Sequence, residues 1–201
     1  MEILIATKNE AKIKKYSTML DVLGIQYKTL KDFNINIDVK EVGNTPKENS
    51  VIKAKAYYEV SNIPVLVDDS GLILDKLPLE KQPGVFVRRY NGKELTDEEI
   101  INLYSKEIEK IGGETTGAFV IAITIIDENG IVHTNEEKHA RLFVANPCRE
   151  RTPGYPMNSL IYNKESNEYL AQIYTGKNIY KGNSFEKDIE FIKKVLIDKK
   201  E

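Results

Sequence analysis

The chain has 201 residues, 41% of them apolar and 30% charged, with a formal net charge of -2. That length supports a full hydrophobic core without staples, and so small a net charge gives no general attraction to nucleic acid or to an anionic membrane. A single cysteine, Cys148, excludes an internal disulfide framework and a cysteine-rich zinc site, and fits a reducing compartment.

The opening "MEILIATKNE" has an acidic second residue and a short apolar run, and no stretch approaches the roughly 20 apolar residues of a membrane span. A soluble, unprocessed, cytoplasmic protein with neither nucleic-acid nor membrane partners is expected. "EILIAT" reads as a buried strand. "NEAKIKKYSTMLDVLG" follows as a helix, with Ile13, Tyr16, Leu20 and Leu23 at helical spacing and Gly24 as its stop. "IQYKTL" is a second strand. "TPKE" then opens a helix to about Val60, with Thr45 as N-cap, Pro46 at the first helical position and Glu48 as the return partner of a capping box. "IPVLVDD" is the next strand, and "TDEE" at 96–99 is another capping box, for a helix towards Lys110. "AFVIAITIID", the turn "ENG" and "IVHTNEEKHARLFVA" form an antiparallel hairpin. "SFEKDIEFIKKVLIDKK" closes the chain as a helix with Phe185, Ile189, Ile192 and Leu196 on one face. No internal repeat interrupts this order. It implies an α/β protein, a mixed sheet flanked by helices that the hairpin extends into a second lobe, residues 1–201 forming one domain of two lobes.

In open α/β sheets the ligand sits beyond the carboxyl ends of the strands, which directs attention to the loops after Thr7 and Val67. The first, "TKNEAK", offers a hydroxyl, an amide and a helix N-terminus as an anion cradle, with Lys8 and Lys12 as charges at its edge. It is not a Walker loop, because the glycines are missing, and Thr7 or Asn9 can equally be a plain N-cap. The second, "DDSG", places Asp68 and Asp69 at the end of an apolar strand, where Gly71 allows a sharp turn. The pair reads either as an aspartate-based turn or as ligands for Mg2+ beside a phosphate, and strand alternation sends only one of the two towards the ligand.

Glu41 lies in a polar loop within reach of such a metal. Glu48 is already committed to its capping box, and Lys53 on the same helix reads as a surface lysine by itself. Arg88 and Arg89, after "QPG", suit bidentate phosphate binding or aromatic stacking, and equally an ion pair with the acidic helix start at Asp97–Glu99. His133 and His139 share one face of a hairpin strand without a third ligand, so they read as surface residues, and Cys148 has no histidine near it in sequence. "TPGYPMNSLIY", which contains Tyr155, has the composition of a substrate loop or of a simple crossing between elements.

The ordered set "IATKNEAK", "TPKENSVIKAKA", "PVLVDDSGLILD", "PGVFVRRYNG" and "AFVIAITIIDENG", spread from Ile5 to Gly130, resembles the inosine triphosphate pyrophosphatase family. Its motifs are T-G-N-x-x-K, E-N-A-x-x-K-A, D-D-S-G-L and P-G-x-Y-S-A-R-Y. The resemblance implies an elongated mixed sheet whose two lobes hold the active-site cleft between them, and Mg2+-dependent hydrolysis of ITP, XTP or dITP to monophosphate and pyrophosphate, in a homodimer. It makes Thr7, Asn9 and Lys12 triphosphate contacts and Lys53 a further cation. Asp69 becomes the metal ligand and the base for the attacking water, with Asp68 in support. Ser70 and Gly71 border the triphosphate, Arg88 or Arg89 stands near it, and Glu41 is the second metal ligand.

This chain also departs from the pattern. Lys8 replaces a glycine, Lys40 occupies the usual place of the metal-binding glutamate with Glu41 next to it, and "LPLEKQPG" is longer than the family's L-G-G-x-P-G. Where the family has G-F-G-Y-D-P for base recognition the chain has "PGYPMNSLIY", and of the later K-N-S-H-R pattern only Lys177 and Asn178 remain. Two other expectations therefore stand beside the first: a pyrophosphatase with altered base specificity, such as for a modified pyrimidine triphosphate, and a nucleotide-binding sensor without turnover.

Overall fold

The computed structural model describes residues 2–90, 92–175 and 183–198. Its strands and helices follow the order β1 (Glu2–Ile5), α1 (Glu10–Leu23), β2 (Gln26–Thr29), α2 (Pro46–Ser61), β3 (Val65–Leu74), β4 (Arg89–Tyr90), β5 (Lys93–Glu94), α3 (Asp97–Lys110), β6 (Glu114–Ile126), β7 (Val132–Val144), β8 (Ile161–Asn163), β9 (Glu168–Tyr169), α4 (Leu170–Tyr174) and α5 (Asn183–Leu196). Seven strands make one mixed sheet in the order β2-β1-β3-β6-β7-β8-β9, and β4 and β5 pair separately. β1 runs parallel to β2 and β3, while β8 runs antiparallel to both of its neighbours, β7 and β9. The expected mixed α/β sheet with flanking helices is therefore present.

The chain divides into two compact units: Met1–Asp69 with Ile121–Glu137 and Tyr180–Glu201, and Ser70–Val120 with Lys138–Ile179. In the first unit, strand alternation sorts side chains to two cores. Ile3, Ile5, Leu66, Ile123 and Ile125 pack with Tyr16, Met19 and Leu20 of α1 and Ile192, Val195 and Leu196 of α5. Leu4, Ala6, Val65, Val67 and Ile126 pack with Ala54 and Tyr57 of α2. Helices α1 and α5 thus cover one face of these strands and α2 the other. The second unit has its own core, in which Leu72 and Leu74 meet Ile100, Ile101, Tyr104 and Ile108 of α3 together with Phe143, Met157 and Leu160.

Most helix punctuation follows the sequence. Gly24 ends α1 in the left-handed conformation, at φ 67°, which glycine adopts without steric cost. Thr96 caps α3 in a complete capping box with Glu99. At α2 the box is half made: Thr45 Oγ1 accepts from the Glu48 amide at 3.1 Å, but Glu48 Oε2 reaches past the N-cap to accept from the Asn44 amide at 2.7 Å. The hairpin strand β6 begins at Glu114, four residues before the apolar run that marks it in the sequence, because Thr115 and Gly117 are buried as the alternation requires.

The largest correction concerns "DDSG". β3 continues without a break from Val65 to Leu74, so the aspartates lie inside a strand rather than at its end, and Gly71 makes no turn. The sequence reads as a break because four polar or small residues follow an apolar run. The backbone there keeps its ladder while the side chains find partners on both faces.

Candidate active site

Adjacent positions on a strand face opposite ways, and Asp68 and Asp69 are received by different helices. Asp68 continues the register of Leu66, on the α1 side, and its Oδ1 lies 2.9 Å from Lys12 Nζ. Asp69 continues the register of Val65 and Val67, on the α2 side, and its Oδ1 accepts from Lys53 Nζ at 2.7 Å. Glu41 approaches the same ammonium at 3.7 Å, so Lys53 links the two carboxylates that the sequence pairs as metal ligands.

Both aspartates are buried, at 6% and 8% exposure, yet their charge states are pulled in opposite directions. For Asp68, burial alone would raise the pKa, but Lys12, Lys15 and Lys53 together outweigh it and hold the carboxyl below its ordinary value. For Asp69, burial dominates; Lys53 and Lys12 counter it in part, Glu41 adds to it, and the carboxyl sits above its ordinary value. Asp69 Oδ2 is buried with no hydrogen-bond partner. The result is one aspartate locked in an ion pair and one with a basic, unengaged oxygen.

The register also settles which of Lys40 and Glu41 points inward. Along "INIDVKEVG", Ile35, Ile37, Val39, Glu41 and Gly43 are covered, while Asn36, Asp38, Lys40 and Val42 are exposed. Ile35, Ile37 and Val39 pack against the α2-side core, so Glu41 follows them to Lys53 and Lys40 faces solvent. This period-two pattern is visible in the sequence, where the stretch reads simply as polar.

At the start of α1, Asn9 is the N-cap: its Oδ1 accepts from the amides of Ala11 at 2.9 Å and Lys12 at 3.4 Å. Thr7 Oγ1 accepts from the Asn9 amide at 3.2 Å. The local role of both residues is thus to set the helix start that delivers Lys12 to Asp68. Lys8 is exposed and donates to Asn36 Oδ1 at 3.0 Å and to the Ile37 carbonyl at 3.4 Å, which ties the loop to the 31–37 segment. Lys15, one turn beyond Lys12, pairs at 2.8 Å with the buried Asp188 of α5. This partnership is missed in the sequence because Asp188 sits on what reads as a charged helix face.

Ser70 and Gly71 carry β3 onward from the aspartates, Ser70 half-buried and Gly71 buried. Arg88 donates within the second unit to Asp97 Oδ1 and to the Gly154 carbonyl, each at 2.9 Å, so the ion pair with the acidic helix start is formed at Arg88. Arg89 is exposed in β4. Tyr155 is half-buried and precedes a short 3-10 turn, Pro156–Ser159, whose four residues are all buried, with Met157 in the core beside α3. Residues 156–161 are therefore core, while residues 152–155 before them, Tyr155 included, are partly open. His133 is more than a surface residue, since its Nε2 lies 2.9 Å from Oδ2 of the buried Asp127 at the hairpin turn. Lys177, together with Asn178, lies outside the described residues.

Among the described residues no group of three or more histidine, cysteine, aspartate or glutamate side chains is gathered as a cage for a metal ion. Asp69 and Glu41 nonetheless suit Mg2+, which takes one or two carboxylates and draws its other oxygens from water and phosphate. The unpartnered Asp69 Oδ2 leaves that carboxylate one oxygen for the ion or for a water bound beside it. Likewise, among the described residues no helix is long and apolar enough to cross a membrane.

The sequence model of the Ham1 family matches residues 3–178. The dITP/XTP pyrophosphatase of Bacillus licheniformis is 31% identical over 177 residues, 88% of each chain. That of Halalkalibacterium halodurans is 40% identical over a shorter span of 110 residues, 55% of this chain and 56% of the relative. A solved HAM1 protein from Coxiella burnetii matches the fold with a TM-score of 0.80 at 26% identity, over 99% of this chain and 100% of that one.

Proposed function

We propose that this chain, which belongs to the Ham1 family, is a Mg2+-dependent hydrolase that splits nucleoside triphosphates into monophosphate and pyrophosphate. Relatives named dITP/XTP pyrophosphatase support the reaction class and make deaminated purine triphosphates such as dITP, XTP and ITP the first substrates to try. The observation that carries the reading is Asp69: a buried carboxylate with a raised pKa and one unengaged oxygen, held by Lys53 and accompanied by Glu41.

Each side chain then has a task. Asp69 Oδ2 orients a water molecule towards the α-phosphorus and takes its proton, a role for which the raised pKa makes it a stronger base. Lys53 holds the other oxygen of Asp69, which fixes the carboxylate plane. Lys12, kept in place by Asp68, offers positive charge to the phosphates, and the start of α1 contributes its dipole. A divalent cation held by Asp69 and Glu41 supplies further neutralisation of phosphate charge when bound. Positioning and charge neutralisation carry most of the barrier reduction in such a transfer.

The test is a panel of ITP, XTP, dITP, ATP, GTP and pyrimidine triphosphates with Mg2+ and folded protein, with products identified. Pyrophosphate and monophosphate are expected from at least one purine member. Survival of every nucleotide, or release of orthophosphate alone, sinks the reading, and calorimetric binding without turnover would leave a nucleotide sensor. A second reading of the base preference is favoured by one observation: the segment in place of the family's base-recognition motif is buried at Pro156–Ser159. The pyrimidine arm of the panel addresses it. Work as a cytoplasmic homodimer belongs to the same proposal, and light scattering on the purified protein checks the dimer.

A further inference from the structure

Glu41 sits in a segment outside helix and strand, and something must hold it beside Lys53. Two residues on, the buried Gly43 donates its amide to Asn49 Oδ1 at 2.8 Å, across six positions of chain. The approach is close: a β-carbon on Gly43 would lie 2.6 Å from Glu48 Cβ, 2.7 Å from Asn49 Oδ1 and 3.1 Å from the Asn49 amide nitrogen. Only glycine lets the segment lie this near the first turn of α2. Asn49 is 1% exposed, and its Nδ2 has no hydrogen-bond partner. A buried amide that leaves its donors unused is uncommon, and such groups concentrate at functional sites. Asn49 also precedes Lys53 by four positions, so the two share a face of α2.

We propose that Asn49 is a positioning residue for the divalent-cation site: by holding the Gly43 amide it sets Glu41 at the place where, with Asp69, it can ligate the ion. The inference rests on the reading of Glu41 and Asp69 as metal ligands. Residues that orient ligands without touching the metal influence affinity by about 10–100-fold when removed.

Mn2+ is the probe, titrated into the full chain without nucleotide and followed by the electron paramagnetic resonance of the free ion. Asn49→Ala is expected to weaken Mn2+ binding by at least about tenfold. Glu41→Gln should weaken it to a similar degree, and the double variant should be no weaker than Glu41→Gln alone, since Asn49 acts through Glu41. Additive losses, or an Asn49→Ala variant that binds like the wild type while Glu41→Gln does not, overturn the positioning role and leave the metal site standing. An unchanged Glu41→Gln overturns both. Should Asn49→Ala fail to fold, Gly43→Ala decides the matter: it pushes the segment off α2 without emptying a buried site, and the same loss is expected. Pyrophosphate release by the wild type tests the reaction independently of these outcomes.

Discussion

A carboxylate taken out of water either finds a cation or gives up part of its acidity, and Asp68 and Asp69 do one each. The difference assigns them different consequences on substitution. Lys12→Met leaves Asp68 buried without its nearest cation, and breaking a buried pair from one side costs about 3–5 kcal/mol. A clear drop in thermal midpoint is the expected result, and a variant that melts with the wild type would show that the pair does not hold α1 to β3. Asp69→Asn keeps shape and volume while removing a charge that burial opposes, so its stability should stay within about 1 kcal/mol of the wild type or rise, in keeping with the usual exchange of stability for activity. Hydrolysis should fall by about 10²–10⁴, the range for loss of a general base. Loss of stability together with loss of activity would instead make Asp69 a structural residue.

At the scale of elements, β3 matters because it does not stop where its composition changes. Alternation carries its side chains to α1 on one face and α2 on the other, so one continuous strand delivers Asp68 and Asp69 to different partners. Beyond it "LPLEKQPG" is tied back by one side chain as well as by the backbone pair Leu72–Gly84. Gln82 Oε1 accepts from the Leu74 amide at 2.9 Å, and its Nε2 donates to the carbonyls of Leu74 and Leu77, each at 2.7 Å. The tie lets Leu77 stay in the core while Leu79 is exposed. Gln82→Ala should destabilise the chain by about 1–3 kcal/mol, since it strands backbone groups at the end of β3. Hydrogen exchange should quicken at the Leu74 amide, and unchanged exchange there would dismiss the clasp. Helices α1, α2, α3 and α5, the start of β3 and the hairpin strands were legible in the sequence from caps and apolar spacing, as with Thr96, Gly24 and the Phe185–Leu196 stripe, whereas the second half of β3 read as a turn. The two-residue strands β4, β5 and β9 were not, because so short a run carries no periodicity and its pairing is decided by distant partners.

For the whole molecule, the candidate site was legible as residue types more than as pairings. Asp69, Lys12 and Lys53 could be named from motif order, but the sequence did not say that Lys53 would sit between Asp69 and Glu41, or that Lys15 would meet Asp188, since both depend on which face each helix covers. The same pairings set how the stability of the first unit responds to acid. Asp68, with a folded pKa below the ordinary aspartate value of 3.8, adds stability above that value and loses it as pH falls through the folded pKa. Asp69 has the opposite sign. Its folded pKa lies above 3.8, so the native state binds the proton more readily than the unfolded chain, and the charged form costs stability at neutral pH. That cost disappears as pH falls through the folded pKa of Asp69. Other carboxylates titrate in the same window, Glu99 among them at about 2, so the informative quantity is the difference between two chains. With divalent ions chelated, Asp69→Asn should melt at or above the wild-type temperature at pH 7, and the gap should close as pH drops below the folded pKa of Asp69. A gap that widens on acidification would mean that Lys53, not burial, governs Asp69, and the unengaged basic oxygen on which the proposed chemistry depends would go with it.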